Sequence, residues 1–138
     1  MSERYRRGVE ILHQLTGESA EHLTSRVAEI APDFSRMTIE FPLGDLYARD
    51  VLSLREREIA AIGALAARGD AMAQLRVHVA AALRVGIGRP EVIEILMQTA
   101  IYCGFPSALN ALAACHDLLV DDAACPPCHG AKRLAGQG

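Results

Sequence analysis

Between residues 59 and 119 only eight side chains carry a charge, against 19 in residues 1–58 and four in residues 120–138. A run this poor in charge must hide its faces, either inside its own fold or against other copies of the chain. Its apolar residues recur at three- and four-residue spacing, which is helical. The sequence holds 23 Ala and 16 Leu, with only 4% aromatic residues and no Trp. Ala and Leu favour helices, and so little aromatic surface argues against sandwiches and barrels. The expectation is an all-α, oligomeric subunit of six to seven helices. At 138 residues the chain fits one domain, placed at 1–120, with a flexible Gly-, Pro- and Ala-rich tail over 121–138.

Seven helical segments follow from periodicity and punctuation. They are 3–15 ended by Gly17, 19–30 closed by Pro32, 33–41 before Pro42, 54–68, 71–85, 90–103 and 106–120. Residues 43–53 read as a connector with one turn. Ser53 with Glu56 forms a capping box for 54–68, Asp70 caps 71–85, and Pro90 suits the first turn of 90–103.

Several functions are excluded early. The net charge is −3 with a pI near 5.9, which is wrong for a nucleic-acid backbone binder. The single lysine, Lys132, lies in the tail, so Schiff-base and PLP chemistry lack a buried amine. No cofactor and no metal site are expected. The charged start MSERYRRGVE leads into no apolar segment, and no 18-residue apolar run occurs. A cytoplasmic chain without export signal or membrane span is expected, its four cysteines reduced.

The candidate chemistry lies in polar residues on apolar stripes. Leu54, Glu58, Ile62 and Leu65 share one face of 54–68. A carboxylate there loses water and is suited to carrying a proton; the alternative is a structural ion pair with an arginine. On 71–85 the stripe is Ala71, Leu75, His78, Ala82 and Val85, with Gln74 beside it. His78 is either a proton carrier or a core histidine bonded to a carbonyl. The two segments are joined by Gly69-Asp70, so they pack antiparallel and can bring Glu58 to His78. Gln98, among Ile95, Ile101 and Tyr102, either orients a substrate carbonyl or satisfies the backbone. Cys125-Pro126-Pro127-Cys128-His129 matches both a haem-attachment motif and a redox pair. Cys103 and Cys115 look like small buried hydrophobes.

Four blocks of the chain, in order, resemble the carboxymuconolactone decarboxylase family. They are Arg57-Glu58-Ile59-Ala60-Ala61-Ile62, then Gln74-Leu75-Arg76-Val77-His78-Val79, then Arg89-Pro90-Glu91-Val92-Ile93-Glu94, and finally Ile101-Tyr102-Cys103-Gly104-Phe105-Pro106 with the residues to Leu112. Ile39–Tyr47 fits upstream, and the likeness spans about residues 4–118. It implies an all-helical subunit, homotrimers or homohexamers, and a cofactor-free site near subunit contacts. There Glu58 and His78 are the catalytic acid/base residues. The substrate implied is a small carboxylic acid or lactone, with no nucleic acid or membrane partner. Arg57, Gln74, Gln98 and Tyr47 are taken as substrate-binding. The redox branch of the superfamily carries a Cys-x-x-Cys pair before the histidine, and Ala71-Met72-Ala73-Gln74 has none. A thiol-dependent peroxide or disulfide reductase built on Cys125 and Cys128, a non-catalytic small-molecule binder, and an isomerising or cyclising tailoring enzyme are the rival readings.

Overall fold

The three-residue link Gly69–Ala71 folds the chain back on itself, and this hairpin is the frame of the site. A computed structural model describes residues 1–120. The tail expected over 121–138, with Cys125, Cys128 and Lys132, lies outside the described residues. Among the described residues the chain is all-α. The elements are α1 (Glu3–Thr16), α2 (Ala20–Ala28), α3 (Pro32–Ile39), a π-helical segment (Glu40–Tyr47), α4 (Leu54–Arg68), α5 (Met72–Arg84), α6 (Arg89–Cys103), α7 (Phe105–Ala114) and α8 (His116–Leu119).

The helix ends follow their local chemistry. Ser53 and Glu56 close the expected capping box: the Ser53 hydroxyl accepts from the Glu56 amide at 3.2 Å, and the Ser53 amide donates to the Glu56 carboxylate at 2.7 Å. Gly69 ends α4 at φ 78°, a left-handed conformation that glycine adopts without strain. Asp70 does not cap α5. It accepts from Arg68 Nε at 2.6 Å instead, and α5 starts without a side-chain cap. The segment expected as one helix over 106–120 breaks at Cys115, whose ψ of 8° is not helical.

The connector expected around 43–53 is the largest departure. The chain stays helical through Pro42, in the wider π form. Pro42 has no amide hydrogen and its ring crowds the preceding turn, so an α-helix cannot run through it unchanged. A π turn relieves both problems, as in the 3.1 Å bond from the Ala48 amide to the Leu43 carbonyl. The segment crosses α1 backbone to backbone through Gly8 and Gly44. A Cβ on Gly44 would stand 2.0 Å from the Arg4 carbonyl oxygen, and one on Gly8 would stand 2.5 Å from that of Ile39. Arg4 clamps the crossing with a bidentate contact to Asp45, and Arg7 Nε donates to the Gly44 carbonyl at 3.1 Å.

Two apolar clusters result. The larger joins Ile62 and Ala66 of α4, Leu75 and Val79 of α5, Val92 and Leu96 of α6, and Cys115. The smaller joins Leu12, Ala20 and Ile39, with Tyr5, Val9 and Leu43 against them. Arg76 ties α5 to the C-terminal helices, donating to the Ala114 carbonyl at 2.6 Å and to both Asp117 oxygens. These hydrogen bonds hold the Asp117 carboxyl down at about 2. A carboxylate depressed on folding adds stability above its unfolded value, near 4, and loses it as the pH falls toward 2. Urea unfolding should show a constant gap between wild type and Asp117→Asn from pH 5 to 7. The gap should close on acidification below pH 4.

Candidate active site

Once Ser53 sets the start of α4, helical phase turns Glu58, Ile62 and Ala66 inward. Glu58 is wholly buried, with 0% of its side chain exposed. On α5 the same phase sends Leu75, Val79 and Ala82 into the core. His78 lies at the edge of that stripe with 32% of its side chain exposed, so it faces an opening and is not packed around. The hairpin brings the pair together, with His78 Nδ1 and Glu58 Oε2 2.8 Å apart. Among the described residues Glu58 has no arginine partner, and His78 bonds a carboxylate where a core histidine would bond a carbonyl. Glu58 Oε1 is buried without a hydrogen-bond partner. The imidazole is therefore gripped on one side, and its Nε2 makes no hydrogen bond among the described residues.

The pair borders a cavity of about 420 Å³ at the seam between the two apolar clusters. Leu12, Leu15 and Thr16 come from α1, Leu43 and Tyr47 from the π-helical segment, and Leu65 from α4. Tyr47 ends the π turn, half-buried. Burial first, and then the nearby Glu58 carboxylate, push its hydroxyl up to about 12, so at neutral pH it remains an O–H donor. The Arg57 guanidinium covers the Tyr47 ring at 5.3 Å, an arrangement that fixes the ring.

The other residues expected to bind substrate stand elsewhere. Arg57 does not line the cavity: its Nη2 donates to the Arg49 carbonyl at 3.1 Å and its plane is taken up by Tyr47. Gln74 is exposed, because Leu75 next to it takes the inward position. Gln98 is also exposed, on a separate cavity of about 360 Å³ between α4 and α6, with Tyr102 and Cys103. Two of the three apolar neighbours that suggested burial for Gln98 are on the outside themselves, Ile101 being 77% and Tyr102 78% exposed, and only Ile95 packs against the core. Cys103 is exposed, against expectation, whereas Cys115 is buried and its thiol is pushed up by that burial. The Cys125–His129 motif lies outside the described residues. Among the described residues no three His, Cys, Asp or Glu side chains gather as a metal site, and no helix is long and apolar enough to cross a membrane.

Sequence reasoning missed Thr16 and Thr38, which also line the cavity. Their hydroxyls donate to the Leu12 carbonyl at 2.9 Å and the Ser35 carbonyl at 2.7 Å. Thr16 had one signal, since it stands a helical turn after the buried Leu12. Thr38 had none.

The chain is similar to known proteins. The family model described as "Carboxymuconolactone decarboxylase family" matches residues 32–117, which include the π turn, Glu58 and His78. A 4-carboxymuconolactone decarboxylase of Acinetobacter baylyi is 24% identical over 120 residues, covering 86% of this chain and 89% of that protein. An uncharacterized 15.0 kDa protein of Paracoccus denitrificans is 28% identical over 104 residues, covering 74% of this chain and 78% of that protein.

Proposed function

Since the chain belongs to the carboxymuconolactone decarboxylase family, we propose that it is a cofactor-free acid/base enzyme that decarboxylates a small unsaturated lactone acid or a related compound. The observation that carries this reading is the 2.8 Å contact between a fully buried carboxylate and a half-buried imidazole at the wall of an apolar cavity.

In such a substrate the breaking carbon–carbon bond sends its electron pair through a double bond into the lactone carbonyl. Carbon dioxide leaves and an enolate forms; one proton then adds to carbon. The substrate is its own electron sink, so the protein must hold it dry, stabilise the enolate oxygen and deliver the proton. His78 is the catalytic residue of this scheme. Glu58 does not touch the substrate but positions the ring through Nδ1, so that Nε2–H of the imidazolium faces the cavity and gives the proton. The Tyr47 hydroxyl donates to the enolate oxygen. The exposed edge of His78 takes a proton back from water, which closes the cycle with one proton consumed per carbon dioxide released.

We further take the working form to be a homo-oligomer, a trimer or hexamer. What supports this is the apolar face of α6 and α7, where Met97, Ile101, Phe105 and Leu109 stand exposed in the charge-poor part of the sequence.

A panel of carboxylated butenolides tests the reading. Carbon dioxide release with uptake of one proton per turnover, on the order of 1 per second or faster, is the expected result. An isomerised or cyclised product without carbon dioxide would replace decarboxylation by the tailoring reaction.

A further inference from the structure

We infer that Arg84 is a specificity-determining residue, which receives a carboxylate at the far end of an apolar arm on the molecule processed at His78; this rests on His78 as the proton donor. Leu15, Thr16, Val77 and Ala81 line both the cavity beside Glu58 and His78 and a smaller recess of about 160 Å³. The two spaces adjoin across these four side chains, and Arg84 stands in the recess. His78, Ala81 and Arg84 follow one another at three-residue spacing on α5, so each is the next one's neighbour on the helix surface. Ala81 puts only a methyl group between the two functional side chains.

The Arg84 guanidinium is held in place before any ligand arrives. Its Nε donates to the Gln14 carbonyl at 3.2 Å, one of the carbonyls left without a helical partner at the end of α1. Its plane lies against Gly17, where a Cβ would stand 2.9 Å from Cζ and 3.0 Å from each Nη. A residue with a side chain would displace it. Among the described residues its one hydrogen bond is made through Nε. The two Nη atoms form the forked edge that pairs with both oxygens of a carboxylate. Glu18 borders the same recess, and its carboxylate lies 3.2 Å from His22 Nε2.

The separation defines the arm. Six residues of α-helix rise about 9 Å, so an acid held by Arg84 lies well beyond a short substituent such as acetate on the reacting ring. The side chains in between, Leu15, Val77 and Ala81, suit methylene groups. The Thr16 hydroxyl there already donates to the Leu12 carbonyl.

Three probes given to the full chain test this. All share one carboxylated butenolide ring, and they carry an acetate, a hexanoate or a hexyl arm. The kcat/KM for carbon dioxide release should be at least about 10-fold higher for hexanoate than for hexyl, the worth of one hydrogen-bonded charge at a partly wet site. It should also exceed that for acetate. In Arg84→Gln the ratio of hexanoate to hexyl should fall to about one. A wild-type enzyme that turns over the hexyl or acetate compound as fast as the hexanoate would overturn the inference. So would a fall of all three by the same factor in Arg84→Gln, the mark of a merely structural arginine. If no probe releases carbon dioxide, the decarboxylase reading fails by itself, and calorimetric binding of the same compounds decides. Tightest binding of the hexanoate compound, with its advantage lost in Arg84→Gln, supports the inference. An advantage that is absent or survives the substitution, or no binding of any probe at millimolar concentration, overturns it.

Discussion

Glu58→Gln is expected to lower kcat by about 10³-fold while leaving KM within a few-fold and the fold intact. The change keeps the volume of a fully buried side chain and removes only its charge. Positioned proton transfer contributes about 10² to 10⁴ in rate, and a histidine whose orienting carboxylate is neutralised loses most of that. KM is spared because Glu58 reaches the substrate only through His78. His78→Ala should cost a similar factor, and the double variant little more than either single change, since the two act as one unit. Here ¹⁵N spectra of His78 should change in Glu58→Gln and return toward wild type in Glu58→Asp. Near-normal kcat in Glu58→Gln would remove the pair from the mechanism.

Gly44→Ala should be among the most destabilising single changes available to this chain. The added methyl would sit 2.0 Å from the Arg4 carbonyl oxygen, and both sides of the contact are backbone. No side chain can swing away, so α1 must lift from the π-helical segment. Overpacking of this kind costs about 3 kcal/mol, or roughly 10 °C in melting temperature for a chain of this size. Activity should fall with it, because α1 carries Leu12, Leu15 and Thr16 and the π turn carries Tyr47, all on the cavity wall. Gly63→Ala on α4 is the control. Its methyl meets nothing within 4 Å, and helix propensity makes it neutral or slightly stabilising. Equal melting temperatures for Gly44→Ala and Gly63→Ala would show that the crossing tolerates separation.

The helical hairpin and its buried pair are legible in the sequence for a physical reason. A charged or titratable residue on an apolar stripe is expensive, so Glu58 and His78 stand out from the order of residues alone. Gln98 misleads by the same logic applied to the wrong face. Of its apolar neighbours Ile101 and Tyr102 are exposed and only Ile95 packs against the core, and period alone cannot tell a face that meets the chain's own core from one left outside it. The π turn is hidden because Pro42 reads as a stop, and only the crossing with α1 shows why the chain continues helical past it. Thr16, Thr38 and the leucine wall are set by how α1 leans on α5 and how α3 leans on α1 and the π-helical segment. That placement leaves no local mark.

The cavity lies between two apolar clusters, and this has a kinetic consequence. Each wall has its own core, so the walls can part without either one unfolding. The smaller cluster, with three buried members against eleven, is the cheaper one to move. Glu58 and His78 stand on α4 and α5, whose inward residues belong to the larger cluster, the costlier of the two to open.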